Sequence, residues 1–202
     1  MPTEAFFNLK EERKEKLLQA AVHEFSEHPY SKVSVFKIAQ NAEISRSAFY
    51  YYFKDKRDIY EYLIEGVKEG FLQNLGEVTG PFDLFWFSEK LFDYMASIKG
   101  TELESFFKNL VANANSESIN QIISSLDCSH IANNVEAMFD LRNLTISNYE
   151  ELKEVVFLLA SGIMYSVGGY LTDQLTLEEA RAKQQRMSNI VKEGILLKRS
   201  EG

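Results

Sequence analysis

Ser34-Val-Phe-Lys-Ile-Ala-Gln-Asn-Ala-Glu-Ile-Ser-Arg-Ser-Ala-Phe-Tyr-Tyr-Tyr-Phe-Lys-Asp-Lys-Arg-Asp58 packs three helix starts into 25 residues. Ser34 can cap a short helix whose Val35, Ile38 and Ala39 face inward at helical spacing. Ala42-Glu43-Ile44 reads as the turn, and Ser45 caps a second short helix. Ile44 is placed to face Phe49 as a hydrophobic staple that sets the angle between turn and helix. Asp55 caps a third helix, with Asp58 in its positive first turn.

The helix beginning at Arg46 carries the functional reading. Phe49 and Phe53 lie four residues apart and share a face that must reach a core, whereas Arg46, Ser47, Tyr50 and Tyr51 occupy the opposite side. Two short helices joined by a tight turn, the second with an outward polar and aromatic face, form the groove-reading unit of a helix-turn-helix. The chemistry suits a duplex. Arginine pairs bidentately with guanine, serine bonds to several bases, a small alanine such as Ala48 approaches a thymine methyl, and tyrosine hydroxyls reach phosphates. The plainer reading makes Tyr50, Tyr51 and Tyr52 packing residues of an ordinary bundle. It suits Tyr52 but conflicts with the direction of the other two.

Three stretches, Phe25-Ser-Glu-His-Pro-Tyr30, Val33-Ser-Val-Phe-Lys-Ile-Ala39 and Ala42 through Lys56, closely resemble the DNA-binding domain of the TetR/AcrR family of bacterial regulators. The family pattern of Tyr-x-x-Phe, a short cap and a lysine is met by Tyr50, Phe53, Asp55 and Lys56, within a match over residues 9–65. The resemblance implies that Ser34 and Lys37 touch phosphates. It also implies that Arg46, Ser47, Ala48 and Tyr51, next to the capping Ser45, approach bases, while Tyr50 and Lys56 clamp the backbone. Lys56 would open its helix, where free amides also attract an anion. Two positions depart from the pattern: Glu43 stands where a turn glycine is usual, and Pro29 stands where glycine commonly precedes Tyr30.

Outward from this segment the chain reads as all-α. A first helix is expected over Leu9–Glu27, with Leu17, Leu18, Ala21, Val22 and Phe25 on one stripe and Pro29 ending it. Asn8–Glu11, Thr101–Glu104, Ser147–Glu150 and Thr176–Glu179 each have the form of a capping box. Gly76, Gly80 and Pro81 suggest a break near Glu77–Pro81. The expected organisation is an N-terminal three-helix DNA-binding domain at residues 1–56 and a helical effector-binding and dimerisation domain at 57–202.

The C-terminal part is rich in aromatic residues, and regulators resembling this family hold an effector pocket there. Its candidate lining is Trp86, Phe106, Phe107, Asn109, Met138, Phe139, Met164 and Tyr165, which would favour a small apolar or amphipathic ligand. A filled core without any ligand is the alternative. The segment Tyr149–Thr172 is apolar over most of its circumference, and the last helix presents a second apolar face. Val156, Ile163, Val167, Met187, Ile190 and Val191 are therefore candidates for a homodimer interface, as the resemblance also implies.

Charge and composition restrict the function classes. The net charge of −8 resides mostly beyond residue 65: the first 65 residues hold 10 Lys and Arg against 11 Asp and Glu, the rest 12 against 19. Screening over about 10 Å leaves room for a local basic patch on such a chain. The run Val155–Leu171 is broken by Ser161, Ser166 and three glycines, so no membrane span or membrane partner is expected; the lone Cys128 fits a reducing cytoplasm. Cys128 and His130 alone make neither a nucleophilic site nor a zinc site, and no phosphate loop or metalloprotease motif occurs. No cofactor, metal site or enzymatic activity is expected. The expected function is a ligand-responsive repressor that binds palindromic operator DNA as a homodimer. A helical interaction or ligand-carrier protein, whose N-terminal unit is structural, is the alternative.

Overall fold

A computed structural model describes residues 1–76, 81–112 and 139–196. Cys128, His130, Met138 and most of the break expected at Glu77–Pro81 lie outside the described residues. Among the described residues the elements are helical: α1 (Glu4–Phe7), α2 (Glu11–Glu27), a 3₁₀ turn (Tyr30–Lys32), α3 (Val35–Asn41), α4 (Arg46–Tyr52), α5 (Lys56–Leu75), α6 (Leu84–Ser97), α7 (Glu104–Ala112), α8 (Tyr149–Leu171) and α9 (Leu177–Ile195). The only extended pairings among them are two isolated bridges, Phe82 with Phe139 and Leu144 with Leu196. The all-α expectation holds.

By internal contacts the chain divides into two compact units: Met1–Gly70 with Gly100–Asn113, and Phe71–Lys99 with Ala114–Gly202. In the first unit, Leu17, Ala21 and Phe25 of the expected α2 stripe are buried together with Ala20, whereas Leu18 and Val22 are half-buried. Ile38 and Ala39 of α3, Phe49 of α4, Phe53, and Ile59, Tyr60 and Ile64 of α5 are buried in the same unit. Phe25, Tyr60 and Phe106 of α7 form an aromatic group with centroids 5.0–6.3 Å apart. Burial, and secondarily Tyr30, pushes the Tyr60 phenol up to about 12.

Helix starts follow the expected side-chain chemistry at Ser45, Asp55 and Thr176. Ser45 accepts from the Ala48 amide, and Thr176 with Glu179 forms a complete capping box. Asp55 Oδ1 accepts from the Arg57 and Asp58 amides. The three other expected capping boxes need correction, as does the Ser34 cap of α3. Residues 4–7 form a separate turn whose Phe6 packs 4.8 Å from Phe53, and α2 begins after Lys10 without the Asn8 box. The cap of α8 is Asn148, accepting from the Glu151 amide, one residue beyond the expected Ser147. At the third, Glu104 Oε2 accepts from Gly100 N, because α7 begins at Glu104 itself rather than after Thr101.

In the second unit α6, α8 and α9 pack on one another. Leu84, Phe85, Phe139, Leu152, Val155 and Leu159 are the buried core. Gly162 lets α8 and α9 approach closely. A Cβ on Gly162 would sit 3.3 Å from Gln184 Oε1 and 3.5 Å from Met187 Cε. Helix α8 is long and apolar enough by composition to cross a membrane, yet half of that window is buried within the protein.

Candidate nucleic-acid interface

Helix α4 is only seven residues long and cannot hold itself together, so its neighbours set its orientation. The rings of Phe49 and Phe53 lie 5.8 Å apart and are fully buried. At the other end of the helix, Thr3 N donates to Tyr52 O at 3.0 Å and Thr3 Oγ1 to Tyr51 O at 2.8 Å. Anchored from behind and at its C-terminal end, α4 turns Arg46, Ser47, Tyr50 and Tyr51 outward, with Tyr51 67% exposed. The Arg46 guanidinium carbon lies 5.7 Å from the Tyr50 ring centroid, and Nη2 is 3.5 Å from the phenol oxygen. Contact with its own tyrosine narrows the arginine's rotamer choice while leaving most of its donors toward solvent.

The other predicted DNA residues fall into distinct environments. Ser45 and Lys37 are exposed, and Ala48 is half-buried on α4. Ser34 does not cap α3 with its side chain; instead its amide donates at 3.0 Å to Glu24 Oε1, whose side chain is buried. This bond ties the start of α3 to α2. Lys56 differs most from expectation. Its ammonium donates to the carbonyls of Tyr30, Ser31 and Val33 at 2.8, 3.2 and 3.4 Å and lies 4.8 Å from the Tyr30 ring centroid. Three acceptors match its three donors. The amides following it are already bound by Asp55, so Lys56 fastens the 30–33 turn rather than offering a bare anion site.

Glu43 has φ 55°, the left-handed conformation that favours the missing turn glycine. Its carboxylate lies 2.6 Å from Lys16 Nζ, and that hydrogen bond holds it below the ordinary carboxylate range. Three exposed rings of the first unit escaped the sequence reading: Phe7, Tyr30 and Phe36. Phe36 lies out of phase with the Ile38 and Ala39 stripe, which was the available signal.

The described pocket candidates are divided between the units. Phe106, Phe107 and Asn109 belong to the first, where the Asn109 amide nitrogen donates at 2.8 Å to both Phe25 O and His28 O at the end of α2. Trp86, Phe139, Met164 and Tyr165 belong to the second. There Trp86 stacks 5.6 Å from Phe82, Phe139 meets Phe87 edge-on at 5.3 Å, and Met164 is buried. Tyr165 is exposed, with Lys183 Nζ 4.2 Å from its ring centroid.

The dimer candidates also separate. Ile163 and Val167 are sealed inside the second unit, and Val156 and Val191 pack partly against its core, because α8 is apolar on several sides. Met187 is half-buried, and Ile190 is 70% exposed. Leu158 and Tyr165, absent from the predicted interface, are the most exposed apolar residues of α8. Among the described residues no group of three metal-ligating side chains occurs.

The family model for bacterial regulatory proteins of the tetR family matches residues 17–63, and the model for the tetracyclin repressor-like C-terminal domain matches 83–195. The chain belongs to the TetR family of transcriptional regulators. Its members are not enzymes, and this regulator shares the family's two-part sequence plan. It is 34% identical over 67 residues to the HTH-type transcriptional regulator HbdR of Aromatoleum sp. (strain CIB), a stretch spanning 33% of this chain and 29% of that relative. A TetR family regulator from Chloroflexus aurantiacus J-10-FL matches with TM-score 0.53 and 22% identity, over 98% of this chain and 100% of that one. The fatty acid degradation regulator FadR of Bacillus halodurans matches with TM-score 0.54 and 16% identity, over 91% and 96%. At these identities the structural likenesses show a shared fold.

Proposed function

We propose that this TetR-family regulator is a cytoplasmic repressor that binds a palindromic operator as a homodimer and is released by a small apolar or amphipathic effector. The observation that carries the reading is the outward presentation of Arg46, Ser47, Tyr50 and Tyr51 on a helix whose Phe49, with the adjoining Phe53, is fully buried. In this reading Arg46, Ser47, Ala48 and Tyr51 meet base edges, while Ser34, Lys37, Ser45 and Tyr50 meet the sugar–phosphate backbone. Lys56 acts at one remove by holding the 30–33 turn. Residues 1–56 serve DNA reading, and 57–202 serve effector binding and dimerisation.

One seven-residue helix covers few base pairs, so specific binding calls for two, entering successive major grooves roughly 34–36 Å apart. The exposed Leu158, Tyr165 and Ile190 of α8 and α9 support pairing through a second copy. The aromatic group of Phe82, Trp86, Phe87 and Phe139 supports an apolar effector contact in the second unit. An effector would act by favouring a dimer whose reading helices no longer match the groove spacing.

Selection of random duplexes with the purified full-length protein tests the proposal. The expected product is an inverted repeat with half-sites about one helical turn apart, bound with a steep salt dependence. Recovery of no preferred sequence, or of a single unrepeated site bound by a monomer, contradicts it.

A further inference from the structure

Phe36 is the most exposed phenylalanine among the described residues, at 60%. The other exposed one, Phe7, meets the rings of Phe6 and Tyr62 at 5.5 and 6.3 Å, whereas Phe36 makes no ring contact among the described residues. Helix α3 does not need it. Its buried positions are Ile38 and Ala39, Phe36 projects off that stripe, and phenylalanine is a poorer helix former than alanine, lysine or glutamine. Local structure and packing therefore leave this ring unexplained, and it stands in the first turn of the first helix of the helix-turn-helix pair.

Resting on the DNA-reading function proposed above, we infer that Phe36 is a specificity-determining residue that packs its ring on the C5-methyl of a thymine in each half-site. In such pairs the first helix crosses the DNA backbone while the second enters the major groove, so a long side chain leaving the first helix reaches the groove edge. The thymine methyl projects into that groove, and an apolar side chain distinguishes it from cytosine by contact alone. The exposed Lys37 beside Phe36 is placed to hold the adjoining phosphate, and the Glu24 bond to the Ser34 amide fixes where α3 begins. A ring that is bare in the free protein gains burial only on the duplex, and that gain depends on the methyl group.

Deoxyuridine in place of thymine deletes that methyl and nothing else. The selected operator is resynthesised with each thymine replaced in turn, symmetrically in both half-sites, and titrated by fluorescence anisotropy at one salt concentration. Wild-type protein and Phe36→Ala and Phe36→Leu variants are compared, all full-length. At one thymine per half-site, deoxyuridine is expected to weaken wild type by about fourfold per contact, the worth of one buried methyl. The same replacement leaves Phe36→Ala unaffected and still weakens Phe36→Leu. Because the ring is exposed, the melting temperatures of the variants match wild type. If Phe36→Ala keeps the wild-type response at every thymine, or wild type responds at none, the inference is overturned while operator binding stands. If Phe36→Ala instead changes the oligomeric state, the ring serves contact between protein copies and the inference is also overturned. Failure of wild type to bind any selected duplex removes the functional reading and this inference together.

Discussion

Helices α4 and α8 solve opposite problems. Helix α8 has 23 residues, eleven of them buried, and packing accounts for most of its apolar side chains, with Tyr149, Leu158 and Tyr165 left exposed. Helix α4 has seven residues and buries one, Phe49, relying for its position on the Ser45 cap, the adjoining Phe53 and the Thr3 bonds at its end. What α4 leaves outside is not required by its own stability. A polar and aromatic face that stability does not require is a face available for recognition, whereas an apolar helix held by its core says little about what it binds.

The largest test of that contrast is to exchange inner for outer residues. Phe49→Ala removes a fully buried ring and is expected to cost about 3–5 kcal/mol in urea unfolding. Tyr51→Ala removes an exposed one and is expected to stay within about 0.5 kcal/mol while weakening operator binding. Equal losses of stability would show that Tyr51 packs as Phe49 does.

The next effect is a dependence on pH. Tyr60 titrates near 10 when unfolded and is pushed up to about 12 by burial in the native state. Its stabilising contribution is therefore complete below about pH 10 and lost as pH rises toward 12, amounting to about 2–3 kcal/mol. Urea titrations across that range should show the loss in wild type and a smaller one in Tyr60→Phe. An identical alkaline loss in both proteins would place its origin elsewhere.

Lys56 sharpens the division between reading and holding. Lys56→Met removes the donor shared by three largely solvent-accessible carbonyl oxygens of the 30–33 turn and is expected to destabilise by about 0.5–1.5 kcal/mol. It should also weaken every operator sequence by a similar factor. An unchanged melting curve with weakened binding would restore Lys56 as a direct phosphate contact. The smallest effect concerns Glu43, where φ is 55°. Glu43→Gly relieves the left-handed strain but loses the Lys16 pair, and a net rise in melting temperature of about 2 °C is expected by calorimetry. A fall would mean that the ion pair outweighs the strain.

What could be read from the sequence follows from the range of each interaction. The inward Phe49 and Phe53, the outward Arg46 and Tyr51, the Ser45 and Asp55 caps and the Thr176–Glu179 box all depend on spacings of four residues or fewer. Periodicity reports such spacings. The partners of Lys56 lie 23 to 26 residues away and those of Asn109 more than 80, so no local pattern announces them. Helix α8 failed to declare its outer side for a different reason. With apolar residues nearly all round, Ile163 and Val167 are indistinguishable in sequence from Leu158 and Tyr165, and only packing shows which pair is enclosed. Phe36 was legible in principle, as an apolar residue off its helix's stripe, but next to Val35 and Ile38 it reads as one more core position.

The central claim is that the outward face of α4 reads bases, and Arg46 is its most specific element. Affinity of Arg46→Ala for the selected operator and for duplexes altered at single positions, with melting temperature as control, tests it directly. The account predicts a loss of about 1–3 kcal/mol, relaxed preference at one base pair and an unchanged melting temperature. Wild-type affinity and wild-type sequence preference in that variant would contradict it.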